Sequence, residues 1–375
     1  MFCKQILLIF SIAFCAVTFA ETNSTSTLSE QQKLSIALEA LSRLPAADLE
    51  KKPHLKSAVN KILAKTRGTA DFVRVVKQFQ LKNQNDGLLE CALKEPSGES
   101  GVEAARMILE NDDLPLLKDA LQSSNAVRVA EALGNTTKKE AVPLLLPIVE
   151  NGERDLALRK LTIKALAQTS EGANEVLKLA KDEKLSQDLK FVASAELNNV
   201  RWEKVKGEAE KILPLPQSHG SKALPSVAEL LKMKAYAANG EKIFFRAESA
   251  CRTCHQVMGQ GTDIGPALSE IGDKLGKEAL IESILDPSAG ISFGYEANQL
   301  ELKSGDEAYG LLVSETDDAI ALKNLKGIVT HHKRSDIAKL QKMKNSIMPT
   351  GLQQTMSAQE LMDLVEFLSA LRKAE

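Results

Sequence analysis

The chain has 375 residues, of which 43% are hydrophobic and 26% charged, and its formal net charge is −2. That length points to two or three domains, and the near-neutral balance argues against a general nucleic-acid binder. Aromatic residues contribute 4%, while Ala, Leu, Lys and Glu abound, a composition that favours helices.

Residues 1–20 read as a signal peptide. Lys4 supplies a short positive start, Ile6 to Val17 an apolar run, and Thr18-Phe19-Ala20 small residues at the −3 and −1 positions before Glu21. The run is too short and too poorly flanked for a membrane span. Cleavage near Ala20 and export to the periplasm or an equivalent compartment are expected, with no stable span afterwards. An uncleaved anchor and lipidation at Cys15, which follows the bulky Phe14, are the alternatives. Cleavage leaves Cys91, Cys251 and Cys254, too few for a disulfide framework. Cys91 lies in the apolar stretch Leu88 to Leu93 and reads as a small buried hydrophobe.

Residues 21–27 form a polar lead, expected to be disordered. From 28 to 213 the chain is a train of amphipathic helices. Leu34, Ala37, Leu38, Leu41 and Leu44 follow helical spacing, as do Val127, Val129, Ala130 and Leu133 before Gly134-Asn135. Ala132-Leu133-Gly134, Ala165-Leu166-Ala167 and Ala195-Glu196-Leu197 recur 33 and then 30 residues apart, with second helices between them. This period predicts a HEAT-like α-solenoid, in which each helix pair buries its face against its neighbours; a generic helical bundle is the alternative. The region has one histidine, His54, and no group of residues that carries chemistry. Its expected task is recognition of a partner. Residues 214–226, with Pro214, Pro216 and Ser-Gly-Ser neighbours, form a linker, in which His219 reads as solvated.

The pentad Cys251-Arg252-Thr253-Cys254-His255 then sets the reading of residues 227–375. Two cysteines three apart followed by histidine are the attachment pattern of a c-type haem. Each thiol adds to one vinyl group, and the adjacent histidine is carried under the iron. A redox dithiol or half a zinc site is the other reading, and zinc lacks an obvious second ligand pair beyond His331-His332. Helices are expected over Val227 to Ala238 and Glu241 to Ala247, with a break at Gly240. A sixth ligand has to come from further on: Met107, Met233, Met258, Met343, Met348, Met356, Met362, His331 and His332 are the candidates. Met258 is too near His255 to reach the opposite face. Residues 295–340 alternate with turn signals at Ser304-Gly305-Asp306 and Leu325-Lys326-Gly327, which predicts a small β-rich insert of three to five strands. Ser357 is placed to cap a final helix from Ala358 to Leu371.

Gly240-Glu241-Lys242-Ile243-Phe244 ahead of the pentad, and Gly265-Pro266-Ala267-Leu268 after it, resemble class I cytochromes c. The resemblance implies that Gly240 permits a close helix crossing, that Phe244 packs beside the haem, and that the Pro266 carbonyl accepts the Nδ1 proton of His255. Glu282 to Ala289, Gly294-Tyr295-Glu296 and Ser346-Ile347-Met348-Pro349 resemble a bacterial family of haem-binding cytochrome domains that carry such an insert and often follow HEAT-like repeats. By that resemblance Met348 is the distal ligand, and Pro349 stiffens the loop beside it. Many members add a β-propeller dehydrogenase domain; none is read in this sequence, so dehydrogenase activity is not carried over, and the chain is expected to be an electron carrier rather than an enzyme.

The expected architecture is therefore mainly α: a HEAT-like solenoid, then an all-α cytochrome c domain with a small β insert. One covalently attached haem c would be held by Cys251 and Cys254, ligated by His255 and Met348, and supported by Gly240, Phe244, Gly265, Pro266, Leu268 and Pro349. The expected function is electron transfer to a redox partner such as a periplasmic dehydrogenase or oxidase. Basic residues from Lys323 to Lys344 either steer an acidic partner or form a solvated face. The rival functions are a haem subunit with an open distal site, peroxidase-like or gas-sensing, and a haem-free scaffold.

Overall fold

The computed structural model describes residues 29–214 and 224–373. The signal segment 1–20, the polar lead 21–27 and residues 215–223 of the linker, His219 among them, lie outside the described residues. The chain divides into two compact units, Met1–Leu44 and Pro45–Glu375. In the first, helix α1 (Glu30–Ser42) starts at a capping box, the Ser29 hydroxyl accepting from the Gln32 N–H while the Gln32 side chain returns to the Ser29 N–H.

The second unit opens with α2 (Asp48–Lys51), α3 (Pro53–Thr66), α4 (Ala70–Gln78) and α5 (Asn85–Lys94). Eight helices follow: α6 (Glu99–Glu110), α7 (Leu114–Gln122), α8 (Ala126–Asn135), α9 (Val142–Glu150), α10 (Leu156–Leu166), α11 (Ser170–Lys181), α12 (Gln187–Leu197) and α13 (Glu203–Ile212). They form two layers. Helices α6, α8, α10 and α12 pack in succession in one, and α7, α9, α11 and α13 in the other. The recurring triplets fall at the C-terminal ends of α8, α10 and α12, where Leu133, Leu166 and Leu197 are buried. Gly134 shows how close the layer is: a Cβ there would lie 2.4 Å from the Cβ of Ala165. Caps are local and conventional, with Asp113, Asp155 and Thr169 side chains accepting from the first turns of α7, α10 and α11.

Beyond the linker lie α14 (Val227–Leu230), α15 (Ala237–Phe245), the two-stranded hairpin β1 (Gln256–Val257) and β2 (Gln260–Gly261), and α16 (Lys277–Leu285). Strands β3 (Ala297–Leu302), β4 (Glu307–Glu315), β5 (Ala319–Lys323), β6 (Val329–Lys333) and β7 (Ile337–Lys342) precede α17 (Ala358–Ala370). Gly240 does not break a helix, as its φ/ψ freedom alone had suggested. It lies inside α15, where it is the crossing point with α17: a Cβ would meet the Asp363 carbonyl oxygen at 1.9 Å. Around the crossing, Ile243, Phe244, Leu361, Leu364, Val365 and Leu368 are buried in one apolar cluster. The final helix begins at Ser357 with a capping box to Glu360.

The molecule is mainly helical, but its C-terminal region is not all-α. The β segment is an antiparallel sheet of five strands in the order β6-β5-β4-β3-β7. Strand β7 comes from a stretch whose lysines read as a basic run. Its pairing decides otherwise: a register shift at Glu301/Leu302 lets Ile337 and Leu340, three apart, both pack against the sheet's buried core of Leu300, Ala308, Ile320 and Leu322, while Lys339 and Lys342 stay exposed. In register, Leu300 pairs with Ala308 on one side and Leu340 on the other.

The sheet is also joined to the helical layers. The β3–β4 turn places Asp306 against Lys138 Nζ (3.0 Å) and the Lys139 N–H (3.4 Å), and the Lys139 ammonium donates to the Ser304 carbonyl at 2.6 Å. Glu307 accepts from Arg201 (2.8 Å) and from the Trp202 indole (3.0 Å). These bonds use charged side chains of the helical region for an internal junction.

Candidate functional site

Ser249 ties the attachment turn to the end of α15, its buried hydroxyl donating to the Ile243 and Arg246 carbonyls. Ala250 takes a left-handed conformation (φ 58°), and Cys251–Thr253 form a single 3₁₀ turn. The Cys254 and His255 N–H groups both return to the Cys251 carbonyl, at 3.2 and 3.0 Å. This brings both thiols and the imidazole onto one turn. Cys251 and Cys254 are free and half-buried.

After His255 the chain makes the tight β1–β2 hairpin, with positive φ at both Met258 and Gly259, the backbone of a two-residue type I′ turn. Met258 is 73% exposed there. The strand then doubles back along the attachment turn. Thr262 N–H bonds the Arg252 carbonyl (3.1 Å), Ile264 and Gly265 N–H both bond the Cys254 carbonyl (3.0 and 2.7 Å), and Leu268 N–H bonds the Gln256 carbonyl (2.8 Å). The return delivers the Pro266 carbonyl to His255 Nδ1 at 2.8 Å. A carbonyl can only accept, so Nδ1 carries the proton and Nε2 keeps its lone pair. Gly265 lies against the ring: a Cβ would sit 2.6 Å from His255 Cε1. Leu268 is half-buried against the α15–α17 cluster, as is Cys251.

Burial pushes the His255 pKa below its ordinary value, against the opposing pull of the Pro266 carbonyl, so the imidazole is neutral near neutral pH. Burial likewise raises both thiols, Cys251 and Cys254. A redox dithiol or zinc site works through thiolate and depends on a lowered pKa, so the environment runs against that reading. Among the described residues no group of three or more His, Cys, Asp or Glu is arranged to hold a metal ion. His331 is exposed, and His332 is half-buried with Nε2 2.9 Å from the Thr330 hydroxyl. Cys91 is 1% exposed and its thiol is pushed up to about 11, chiefly by burial; it is inert filling in α5.

Met348 is half-buried in the loop between β7 and α17, and Pro349 beside it is exposed. The loop is fastened by the Met348 N–H to Ser346 Oγ (3.1 Å) and the Ser346 N–H to Ser288 Oγ (3.1 Å). Of the other candidates, Met356 and Met362 are buried in the α15–α17 cluster. Two residues unremarked in the sequence hold this region together. Asp363, 2% exposed, accepts from the Tyr236 N–H (2.9 Å), Asn239 (2.6 Å) and Gln359 (2.9 Å). Burial pushes its carboxyl up, but those donors outweigh it and hold it below the usual range. Arg246 bonds Glu360 at 2.5 Å and the Thr355 carbonyl at 2.8 Å. A carboxylate inside the apolar run Leu361 to Leu368 was the one available signal for the first.

The basic stretch is largely neutralised. Lys323 meets Asp263, Arg334 meets Glu315, Lys339 meets Glu301 and Lys342 meets Glu296, and Lys326 donates to Asn135 Oδ1 at 2.6 Å.

Residues 237–326 match the family model for cytochrome c. This stretch is similar to cytochrome c. The match takes in Gly240, Phe244, the pentad and Gly265 to Leu268, and ends at Lys326, before Met348 and α17. No curated protein matches the chain. Covalently bound haem c is what that similarity implies, and the residues of the matched stretch fit it: two free thiols on one turn, an imidazole with Nε2 available, and apolar packing against Cys251 and Leu268. Among the described residues no helix is long and apolar enough to cross a membrane.

Proposed function

We propose that the protein is an exported carrier of single electrons, with one haem c joined to Cys251 and Cys254 and ligated axially by His255 and Met348. The observation that carries this reading is the 2.8 Å bond from His255 Nδ1 to the Pro266 carbonyl on the turn that also holds both free thiols. The bound haem supplies reversible one-electron chemistry at its iron. The chain's residues prepare the site. Pro266 fixes the tautomer and ring plane of His255 and raises its basicity. Gly265 leaves room for that ring, and Pro349 with the Ser346–Ser288 bond stiffens the Met348 loop. The α15–α17 cluster keeps water from the side on which Cys251 packs.

We assign no catalytic residue, and read the chain as a carrier or electron-transfer subunit. Its redox partner, a periplasmic dehydrogenase or oxidase, would dock on the helical region. Exposed Val127, Leu156 and Phe191 on the adjacent helices α8, α10 and α12 support such a surface.

The test is the spectrum of the full chain matured in a haem-attaching, export-competent host. A low-spin reduced spectrum with a weak near-infrared sulfur–iron band on oxidation is expected. Met348→Ala should abolish that band and lower the potential. High-spin iron in the native protein would favour an open distal site, an unchanged spectrum in Met348→Ala would end that ligand assignment, and colourless protein would end the haem reading.

A further inference from the structure

The turn between β5 and β6 touches two other parts of the same unit, one at each end. At its start, Lys323 Nζ donates to the Asp263 carbonyl at 3.0 Å and lies 3.5 Å from its carboxylate. Asp263 precedes Ile264 and Gly265, whose N–H groups bond the Cys254 carbonyl, and Pro266, whose carbonyl receives the His255 proton. At its far end, Lys326 Nζ donates to Asn135 Oδ1 at the end of α8. Asn135 is 2% exposed, and its amide donates in turn to the Pro96 carbonyl (2.9 Å) and Ser97 Oγ (3.2 Å), so it is fixed in the helical layer.

The turn itself is stiff. The Asn324 side chain accepts from the Lys326 and Ile328 N–H groups at 2.9 and 3.0 Å, and the Asn324 and Ile328 backbones are paired across it. A cleft of about 570 Å³ separates it from the attachment turn, with Leu325 and Lys326 on one wall and Arg252, Thr253 and Ile264 on the other. Ile264 is buried and comes within 4.0 Å of where a Cβ on Gly327 would lie, and Lys323 adds a polar tie from the same turn to the histidine's supporting segment beside the cleft.

We propose that Lys323 and Lys326 are positioning residues that brace the Asp263–Pro266 segment, and through it the His255 ring, against the helical layer. The proposal rests on His255 being an iron ligand only for its redox consequence; the bracing itself is a property of the polypeptide. A partner seated on the helices would then be felt at the iron through Asn135, the stiff turn and Lys323.

The experiment uses the full chain with Lys323→Met, Lys326→Met and the corresponding Arg variants. Amide exchange at Ile264 and Gly265 should rise by about tenfold in each Met variant while amides in α15 and α17 keep their rates, because only a local opening is eased. Arg, which retains a donor, should restore it. In the haem-loaded chain the midpoint potential should shift in the Met variants and return in the Arg variants. Unchanged exchange at Ile264 and Gly265 overturns the bracing, and a potential that stays at the native value while exchange rises overturns its effect on the iron. Exchange is readable with or without haem, so a colourless protein would refute the haem reading and leave this result to stand or fall separately. Lys326→Gln replaces the Met variant if the latter does not fold.

Discussion

Two glycines do different work in the same domain. Gly265 leaves space for the face of an imidazole, whereas Gly240 leaves space for a backbone, with the Asp363 carbonyl oxygen 1.9 Å and the Phe367 Cβ 2.7 Å from where a Cβ would be. A side chain can move aside, but a helix in the middle of a buried crossing cannot do so cheaply. Gly240→Ala should therefore lower stability by about 1–3 kcal/mol, the usual cost of overpacking, despite the better helix propensity of alanine. Urea unfolding would show it, and a variant as stable as the native chain would mean that α17 can shift freely. The crossing at Gly240 was legible only through the resemblance to class I cytochromes c, since its conformational freedom alone pointed to a break, and the sequence marked Gly265 as pocket support without showing what it makes room for. Asp363 was not legible. Its partners come from the entrance to α15, far upstream in the chain, and no local pattern announces which backbone N–H a carboxylate will meet.

At the scale of elements, alternation made the sheet readable and charge made part of it unreadable. Apolar runs between turn signals mark β3 to β5, but β7 carries exposed lysines and so read as part of a basic stretch, either a patch for a partner or a solvated face. Cross-strand pairing explains those charges: Lys339 stands opposite Glu301 and bonds it at 3.2 Å. The β3–β4 turn was legible as a turn from Ser304-Gly305-Asp306, but not as an anchor. Asp306 is only 2% exposed in its side chain and Lys138 16%, so the pair is withdrawn from water. Lys138 also reaches Glu110 at 3.4 Å, so removing Asp306 leaves its ammonium only partly compensated, whereas removing both charges need not cost as much. Asp306→Ala should cost about 1–3 kcal/mol, and adding Lys138→Met should recover part of the loss. A double-mutant cycle in urea checks this; simple additivity of the two losses would show that the pair is not coupled.

For the whole molecule, the sequence was read as a helical length of chain followed by the region of the attachment pentad, and residues 45–375 form one compact unit; the junction inside it was not legible, since its residues read as solvated charges. The junction encloses a cleft of about 700 Å³, lined by Lys77, Glu103, Arg106, Lys138, His331 and His332 among others. His332 of β6 faces Arg106 and Glu103 of α6, Lys138 after α8, and His331 beside it; Thr330 holds its Nε2. Burial, and then the Arg106 and Lys138 cations, push its pKa from 6.5 down to about 4, with Glu103 opposing. The unfolded chain therefore binds a proton more readily than the folded one between those values. Stability attributable to His332 is complete above about pH 6.5 and falls as the pH drops towards 4, by a total on the order of 3 kcal/mol. The paired carboxylates Asp306 and Glu103 are held below their ordinary values, so their own loss sets in only near and below pH 4.5. Buried His255, also lowered, adds to the decline in the same window, which is why the His332→Phe comparison isolates the His332 share. Unfolding by urea measured from pH 7 to pH 4.5 should show a steady decline in the native chain and a flatter profile in His332→Phe. Equal slopes in the two proteins would place the acid sensitivity elsewhere. With the expected result, the neutral imidazole of His332 beside two cations contributes to the lower pH limit at which the sheet stays joined to the helices, and with it the bracing that reaches His255.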